Sequence, residues 1–380
     1  MLRFCDDEAL LIDRRSRTIY RLNASAAFLW GLITSGLPAA HATAELAAAA
    51  DLPFSEARDH VEQSLAQWRD AGLLDDFAAS AAPVARGLRD RIVPDASFGP
   101  KPGAVTRVYR LLRSTIAVRF AEGAWADLAD EALGLARTDD KPADADETFA
   151  VIRSGGGLAV HTGREVLTCP GPATLAPLLE ARMVYAALVR DAAHGVVHAA
   201  AITFGPGTVL LSAESGSGKS TLCAALLAAG GALVADDTVV LTAGGGVEGL
   251  PTAVSIKEGS WQVLRWLWPE LDQATIHVRE DEKRVCYIRP PRLVTPGEEL
   301  AVSTLLFPLY RTGSAAVLTQ LPAKDAIGRL LPALFSPTDE LDVELVDRAM
   351  ALVSRVPCFS LTFDRLDEAV AVVRQIPATC

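Results

Sequence analysis

Basic residues are in the minority in this sequence. Across 380 residues, 36 Lys and Arg stand against 47 Asp and Glu, a formal net charge of -11. Affinity for nucleic acid comes from cations set against phosphate, so a general nucleic-acid partner is excluded, while a local cationic pocket for one nucleotide is not. Paired cysteines are missing as well. The six thiols (Cys5, Cys169, Cys223, Cys286, Cys358 and Cys380) are scattered and form no C-x-x-C pair. That spacing argues against a zinc site and a disulfide framework, and it fits a reducing compartment. No basic segment leads from MLRFCDDEALL into a long apolar run, so no signal peptide is expected. The most apolar stretch, Thr221–Ala235, is too short to span a bilayer and is split by Gly230-Gly231. The expectation is a soluble, cytoplasmic chain with neither nucleic acid nor membrane as partner. Internal repeats and heptads are absent.

What is present suffices for a packed interior: half of the residues are apolar and 22% are charged. The length leaves room for two or three domains. Residues 1–76 read as one small unit. Ala9–Ile12 and Thr18–Leu22 suit two short strands. Asn23 is placed to cap a helix carrying Phe28, Leu29, Leu32 and Ile33. Thr43 is expected to cap a second, Ala-rich helix running to Ala50. Ser55 is expected to open a third, with Val61, Leu65 and Trp68 at helical spacing and Gly72 as its stop. Two strands and three helices make a winged-helix-like module.

Residues 77–104, with AASAAPVA and SFGPKPGA, carry the signature of a linker. From Val105 the pattern resumes with the strand-like YRLLRSTIAVRF. A helix near Trp125–Ala136 follows, then turns at Gly155–Gly157 and His161–Gly163, and a long helix over about Ala173–Ala193.

Residues 213–220 read Ala213-Glu214-Ser215-Gly216-Ser217-Gly218-Lys219-Ser220, with Thr221 next. A small residue, four spacers and Gly-Lys-Ser/Thr make the phosphate-binding loop pattern. Gly216 and Gly218 let backbone amides turn inward on phosphate oxygens. Lys219 supplies a cation between the terminal phosphates, and the Ser220 hydroxyl suits Mg²⁺. The helix starting here directs its positive end at the anion. A Gly/Ser-rich surface turn with a solvated lysine would need neither of the flanking elements. Here Thr208–Ser212 is a buried-strand run directly before the loop, and Thr221–Ala229 is a helix directly after it. Ala232–Ala235 is a second short strand, and Asp236-Asp237 follow at its C-terminal end, suited to Mg²⁺ or to a nucleophilic hydroxyl. His198, in VVHAAAITF, reads from composition alone as a core histidine.

The stretch HAAAITFGPGTVLLSAESGSGKSTLCAALLAAGGALVADDTVVL resembles the core of the HPr kinase/phosphorylase family. In that family a histidine precedes the phosphate loop at a fixed interval, and the helix after the loop leads to Val-Ala-Asp-Asp, matched here by Val234–Asp237. Weaker similarity runs through TAVSIKEGSW, KRVCYIRPP and LLFPLYRTG to the end. The resemblance implies an α/β fold over residues 105–380, with ATP and Mg²⁺ as cofactors. It implies Asp237 as the base that takes the proton of the attacking hydroxyl, His198 as its orienting partner, and Lys219 as the cation on the transferred group. Ser220 holds Mg²⁺ with Asp236 beside it. Residues 213–221 are the nucleotide-binding set. The sequence departs from the family where true HPr kinases have a Glu-Val-Arg-Gly-type segment. Ala253–Gly259 stands there instead, with Lys257 as a substitute cation. Arg284 and Arg289 are the candidates for a late catalytic arginine.

IYRLNASAAFLWGLI, ending in WRDAGLL, resembles PqqD-like domains, which bind leader segments of ribosomally made peptides. A leader would add as a strand to a sheet edge and lie against the third helix. A winged-helix DNA reader is the alternative, but Glu56, Asp59, Glu62 and Asp70 on that helix repel phosphate. Together the two resemblances imply a kinase acting on a hydroxyl, with serine favoured, of a precursor peptide captured by the N-terminal domain. A kinase for a folded protein or small molecule, and a non-catalytic nucleotide-sensing adaptor, are the rivals. A homo-oligomer is compatible with either.

Overall fold

The computed structural model describes residues 1–5, 8–14, 16–74, 103–163, 165–191, 195–205, 207–214, 216–335 and 342–376. The chain divides into two units, Met1–Leu88 and Arg89–Cys380. All of the linker expected over 77–104 except 103–104 lies outside the described residues.

The first unit is a three-stranded antiparallel sheet followed by three helices. Strand β1 (Leu2–Cys5) pairs with β2 (Glu8–Asp13), and β2 with β3 (Thr18–Leu22). Two strands were expected; the additional one is β1, whose four residues are too few to show an alternating pattern. The helices are α1 (Ala24–Thr34), α2 (Ala39–Ala50) and α3 (Phe54–Asp70). Asn23 caps α1, its side chain accepting from the Ala26 amide at 2.8 Å. The expected caps of the other two helices fall inside them instead. Thr43 donates its hydroxyl to the Ala39 carbonyl at 2.8 Å within α2, and Ser55 sits in the first turn of α3. The chain enters these helices at Pro38 and Pro53, both extended. The Ala-rich run and the first turn of α3 form helix as soon as the prolines permit it. Gly72 ends α3 in the left-handed region, φ +69°, with the Leu73 amide closing back on the Trp68 carbonyl at 2.8 Å. Ala57, Val61, Leu65 and Trp68 form the buried stripe of α3. Trp68 meets Trp30 edge to face, with centroids 5.0 Å apart, and Leu11 and Leu29 join them.

The second unit opens with β4 (Val105–Leu111) and β5 (Ser114–Phe120). The single strand-like run therefore folds as a hairpin, turning at Leu112 with φ +54°. Helix α4 (Gly123–Leu133), β6 (Arg137–Thr138), β7 (Glu147–Ser154), β8 (Gly157–His161), β9 (Val166–Cys169) and α5 (Pro172–Arg190) follow. These strands form one sheet in the order β6-β4-β5-β7-β8-β9, and α4 and α5 share its core.

The remaining elements run β10 (Val196–Val197), β11 (Ala199–Phe204), β12 (Gly207–Ser212), α6 (Lys219–Ala228), β13 (Ala232–Ala235), β14 (Val239–Leu241), β15 (Val247–Gly249), β16 (Val254–Lys257) and α7 (Glu258–Leu264). After them come β17 (His277–Val278), β18 (Arg284–Ile288), β19 (Val302–Tyr310), β20 (Val317–Leu321), α8 (Ala323–Leu330), β21 (Leu334–Phe335), α9 (Val343–Arg355), β22 (Cys358–Phe363) and α10 (Leu366–Arg374). The central sheet has the order β13-β11-β12-β19-β22-β20. The neighbouring sheets are β15-β14-β10-β21 and β16-β18-β17. Leu222, Cys223, Leu226 and Leu227 of α6 are buried in one core with Ile202, Leu211, Leu306 and Leu361 of the central sheet.

Register decides what meets at one end of this sheet. β12, β19 and β22 run parallel, so their C-terminal ends align. β11 is antiparallel to β12, with Ala199 opposite Ser212, which brings the preceding His198 to that end. β13 is antiparallel to β11, with Ala235 opposite Ala201, so Asp236 emerges there too. Ligands of α/β sheets bind at this carboxyl end. The architecture is mixed α/β. Among the described residues, no helix is long and apolar enough to cross a membrane.

Candidate functional site

Residues 213–218 leave β12 and turn into α6. Gly216 and Gly218 both take positive φ, +93° and +92°. Gly218 is glycine for two reasons. Its φ is left-handed, and a Cβ there would lie 3.3 Å from both Phe363 Cζ and Tyr310 Cβ. The loop is fastened to the end of β19 by the Tyr310 amide, which donates to the Ser217 carbonyl at 3.0 Å. Ser215 lies outside the described residues.

Lys219 opens α6 and is only 7% exposed. Its ammonium donates to Asp237 Oδ1 at 2.5 Å and stands 3.9 Å from Asp236 Oδ1. Burial alone would lower its pKa; the two aspartates outweigh burial and raise it. His198 Nε2 stands 3.7 Å from the same Asp237 Oδ1. The loss of water around the imidazole lowers its pKa, with Asp237 acting the other way.

The two aspartates differ sharply in environment. Asp236 is buried, accepts the Ser255 amide on Oδ2 at 3.1 Å, and has no hydrogen-bond partner on Oδ1. Burial pushes its carboxyl up, against the pull of Lys219. Asp237 is a non-glycine residue at φ +64°, a conformation that costs free energy and persists where the surroundings impose it. The Thr238 amide donates to the Asp236 carbonyl at 2.8 Å across this tight turn. Burial would raise the Asp237 carboxyl; Lys219, His198 and Arg279 override it and hold it below the usual carboxylate range.

Arg279 is the residue sequence reasoning missed. Its Nη1 stands 3.6 Å from Asp237 Oδ2. It is carried by the turn between β17 and β18, where its amide bonds the Lys283 carbonyl at 3.0 Å. Arg284 and Arg289 are engaged elsewhere. Arg284 pairs with Glu258 and lies over Trp261, and Arg289 donates to the Asp130 carbonyl. Nothing in the sequence sets Arg279 apart from them, because it sits in a charged turn, RED, that reads as solvated surface.

A cavity of about 340 Å³ follows the loop. His198, Glu214, Gly216, Gly218, Lys219, Ser220, Thr221 and Asp237 line its loop end; Lys257, Val263, Tyr310, Phe363 and Asp364 line the rest. Ala213 and Ser217 belong to the same loop without lining the cavity. The Thr221 hydroxyl is shared with Ser260 Oγ at 2.6 Å. The cavity lining carries the cations Lys219 and Lys257 and the apolar groups of Val263, Tyr310 and Phe363, and its size is typical for a small-molecule site. For a hard cation the donors fit: Ser220 offers a hydroxyl, and Asp236 Oδ1 is a buried oxygen without a donor. Ser220 and Asp236 do not line one cavity, however; Asp237 is the aspartate that lines the cavity with Ser220.

Residues 8–74 match the family model described as Coenzyme PQQ synthesis protein D (PqqD). The first unit thus contains a PqqD-like domain. No curated protein matches the chain.

Proposed function

We propose that the second unit is an ATP-dependent kinase and that the PqqD-like domain captures its substrate, a ribosomally made precursor peptide, by the leader segment. The observation that carries the kinase reading is the Lys219–Asp237 pair, set where a glycine-rich loop turns into a helix at the carboxyl end of the parallel strands β12, β19 and β22. The sequence resemblance to HPr kinase/phosphorylase supports the same assignment of roles.

The residues divide the work as follows. Backbone amides of residues 216–219 and the N-terminus of α6 receive the phosphates. Ser220 and Asp236 would hold magnesium, which would spread the charge of the phosphate oxygens. Without nucleotide, Lys219 holds Asp237 ionised and unreactive. Phosphates draw the ammonium away, and Asp237 regains basicity when an acceptor hydroxyl needs a proton acceptor. His198 and Arg279 flank the two carboxylate oxygens and fix their direction.

For the leader, β3 is an edge strand of the β1-β2-β3 sheet and can accept another strand. Phe28 and Phe54 are exposed on α1 and α3, apolar anchors beside an acidic helix surface. The test is ATP turnover by the full chain, measured with and without the precursor peptide. A kinase consumes ATP in step with phosphopeptide. An adaptor binds both ligands and makes no phosphopeptide, and that outcome would remove the proposal.

A further inference from the structure

Asp237 is a wall common to two cavities. One holds the glycine-rich loop. The other, about 330 Å³, is lined by none of the described residues of 213–221. The two carboxylate oxygens are divided between them: Lys219 takes Oδ1 from the loop side, and Arg279, which lines the second cavity, approaches Oδ2. Deeper in, the Tyr287 hydroxyl donates to Glu180 Oε2 at 2.9 Å. Burial raises the Glu180 carboxyl to about 8, so at neutral pH this end is polar and uncharged. Pro177 and Leu250 add apolar wall.

We propose that this second cavity seats the acceptor, an uncharged peptide residue bearing a hydroxyl, which meets Asp237 at Oδ2. The inference rests on the kinase reading of the first cavity. Phosphoryl transfer needs donor and acceptor oxygens in line, with a proton acceptor at the entering hydroxyl. A carboxylate shared by two cavities meets that requirement, because each reactant has its own chamber and both reach one base. In the step, the acceptor O–H proton passes to the Asp237 carboxylate. The acceptor oxygen bonds the γ-phosphorus, the bond from that phosphorus to the bridging oxygen breaks, and ADP leaves with the electron pair.

Charge sets the substrate class. Asp236, Asp237, Glu280 and Asp281 line the cavity against one guanidinium, Arg279, among the described residues. A carboxylate or phosphate beside the acceptor hydroxyl is repelled, which is discrimination by an unfavourable contact. The size admits the acceptor residue with part of its neighbours, so the chemistry selected is a neutral, compact segment.

The test uses the full chain, Mg-ATP and two probes, N-acetylserinamide and the amide of N-acetyl-Asp-Ser-Asp, with phosphorylated product read by mass spectrometry. Ala181, exposed on α5 and lining the second cavity alone, is changed to tryptophan to fill it. The expected result is a kcat/KM about tenfold or more higher for the neutral probe in the wild type. Ala181→Trp should lower transfer to that probe by about tenfold or more, with Mg-ADP affinity by calorimetry within about twofold of the wild type. If Mg-ADP binding shows that this variant is unfolded, Val184→Trp, one turn along α5 on the same cavity, repeats the measurement. Wild-type transfer in a variant that binds Mg-ADP overturns the acceptor cavity and leaves the kinase intact. Preference for the acidic probe overturns the substrate class. A wild type that binds Mg-ADP and phosphorylates neither probe overturns the acceptor cavity, and failure to phosphorylate the full precursor peptide as well removes the kinase reading with it.

Discussion

Replacing Lys219 by methionine removes a buried cation from between two carboxylates while keeping the bulk of the side chain. Asp236 is buried beside it, and Asp237 keeps only His198 at 3.7 Å and Arg279 at 3.6 Å. Breaking a buried ion pair by removing one partner costs about 3–5 kcal/mol. The remaining Arg279 guanidinium puts this case near the low end, about 3 kcal/mol. For a unit this large that corresponds to a fall in Tm of roughly 5–10 °C. The loss should depend on pH, and its sign follows from the carboxyls. In the wild type Lys219 depresses the Asp237 pKa, which stabilises the fold above the unfolded-state pKa of about 4 and is lost as pH falls through the folded value. In the variant both carboxyls rise above that value, so stability falls as pH rises. The gap between the two proteins should be largest near pH 8, narrow toward pH 4 and go on narrowing below it. Urea unfolding across this range reads it directly. The same variant should bind ATP about 10- to 100-fold more weakly, the worth of a charged hydrogen bond. A folded Lys219→Met protein matching the wild type in Tm at pH 8 would refute the ion-pair reasoning. Unchanged ATP affinity by calorimetry would refute the phosphate-loop reading.

Asp237→Asn should keep ATP affinity and slow phosphoryl transfer by about 10²–10⁴, the usual worth of base catalysis, with Asp236→Asn altering mainly the Mg²⁺ requirement; a dead Asp236→Asn beside an active Asp237→Asn reverses the two roles. Glu180→Gln should flatten a stability slope. The raised carboxyl makes the wild type lose stability as pH climbs from about 4.5 toward about 8, and the neutral amide cannot ionise. Parallel urea-unfolding profiles would contradict that. Trp68→Ala should cost about 3–5 kcal/mol in the first unit, because the ring is buried against Trp30, and should abolish leader binding in fluorescence anisotropy while ATP affinity holds; leader affinity retained in a variant whose first unit has unfolded would contradict leader capture by that unit.

The local parts of this molecule were readable from its sequence, and the long-range parts were not. A strand, two glycines needing positive φ, and a helix starting at the lysine are all encoded within some twenty residues, and β12, the loop and α6 lie where the pattern places them. Asn23 and Gly72 were legible because a cap and a left-handed stop are chemistry of single residues. Thr43 and Ser55 misled because helix formation in their neighbours reaches further back than their own capping preference. His198 could be picked out only by resemblance, since what makes it a neighbour of Asp237 is the antiparallel register of β11 with β12 and β13. Arg279 was invisible for a related reason. It arrives at Asp237 through a separate sheet, β16-β18-β17, 42 positions along the chain, and charged turns look alike until folded. The positive φ of Asp237 also has no signature in sequence, because Asp enters the left-handed region without needing glycine.

The most direct test follows the γ-phosphate itself. The full chain is mixed in single turnover with γ-labelled Mg-ATP and a precursor peptide that its first unit binds, and label is located by mass spectrometry. The account predicts label on a peptide hydroxyl, formed as fast as ATP disappears and lost in Asp237→Asn. Label recovered only as inorganic phosphate, or remaining on ATP while peptide and nucleotide are both bound, would contradict it.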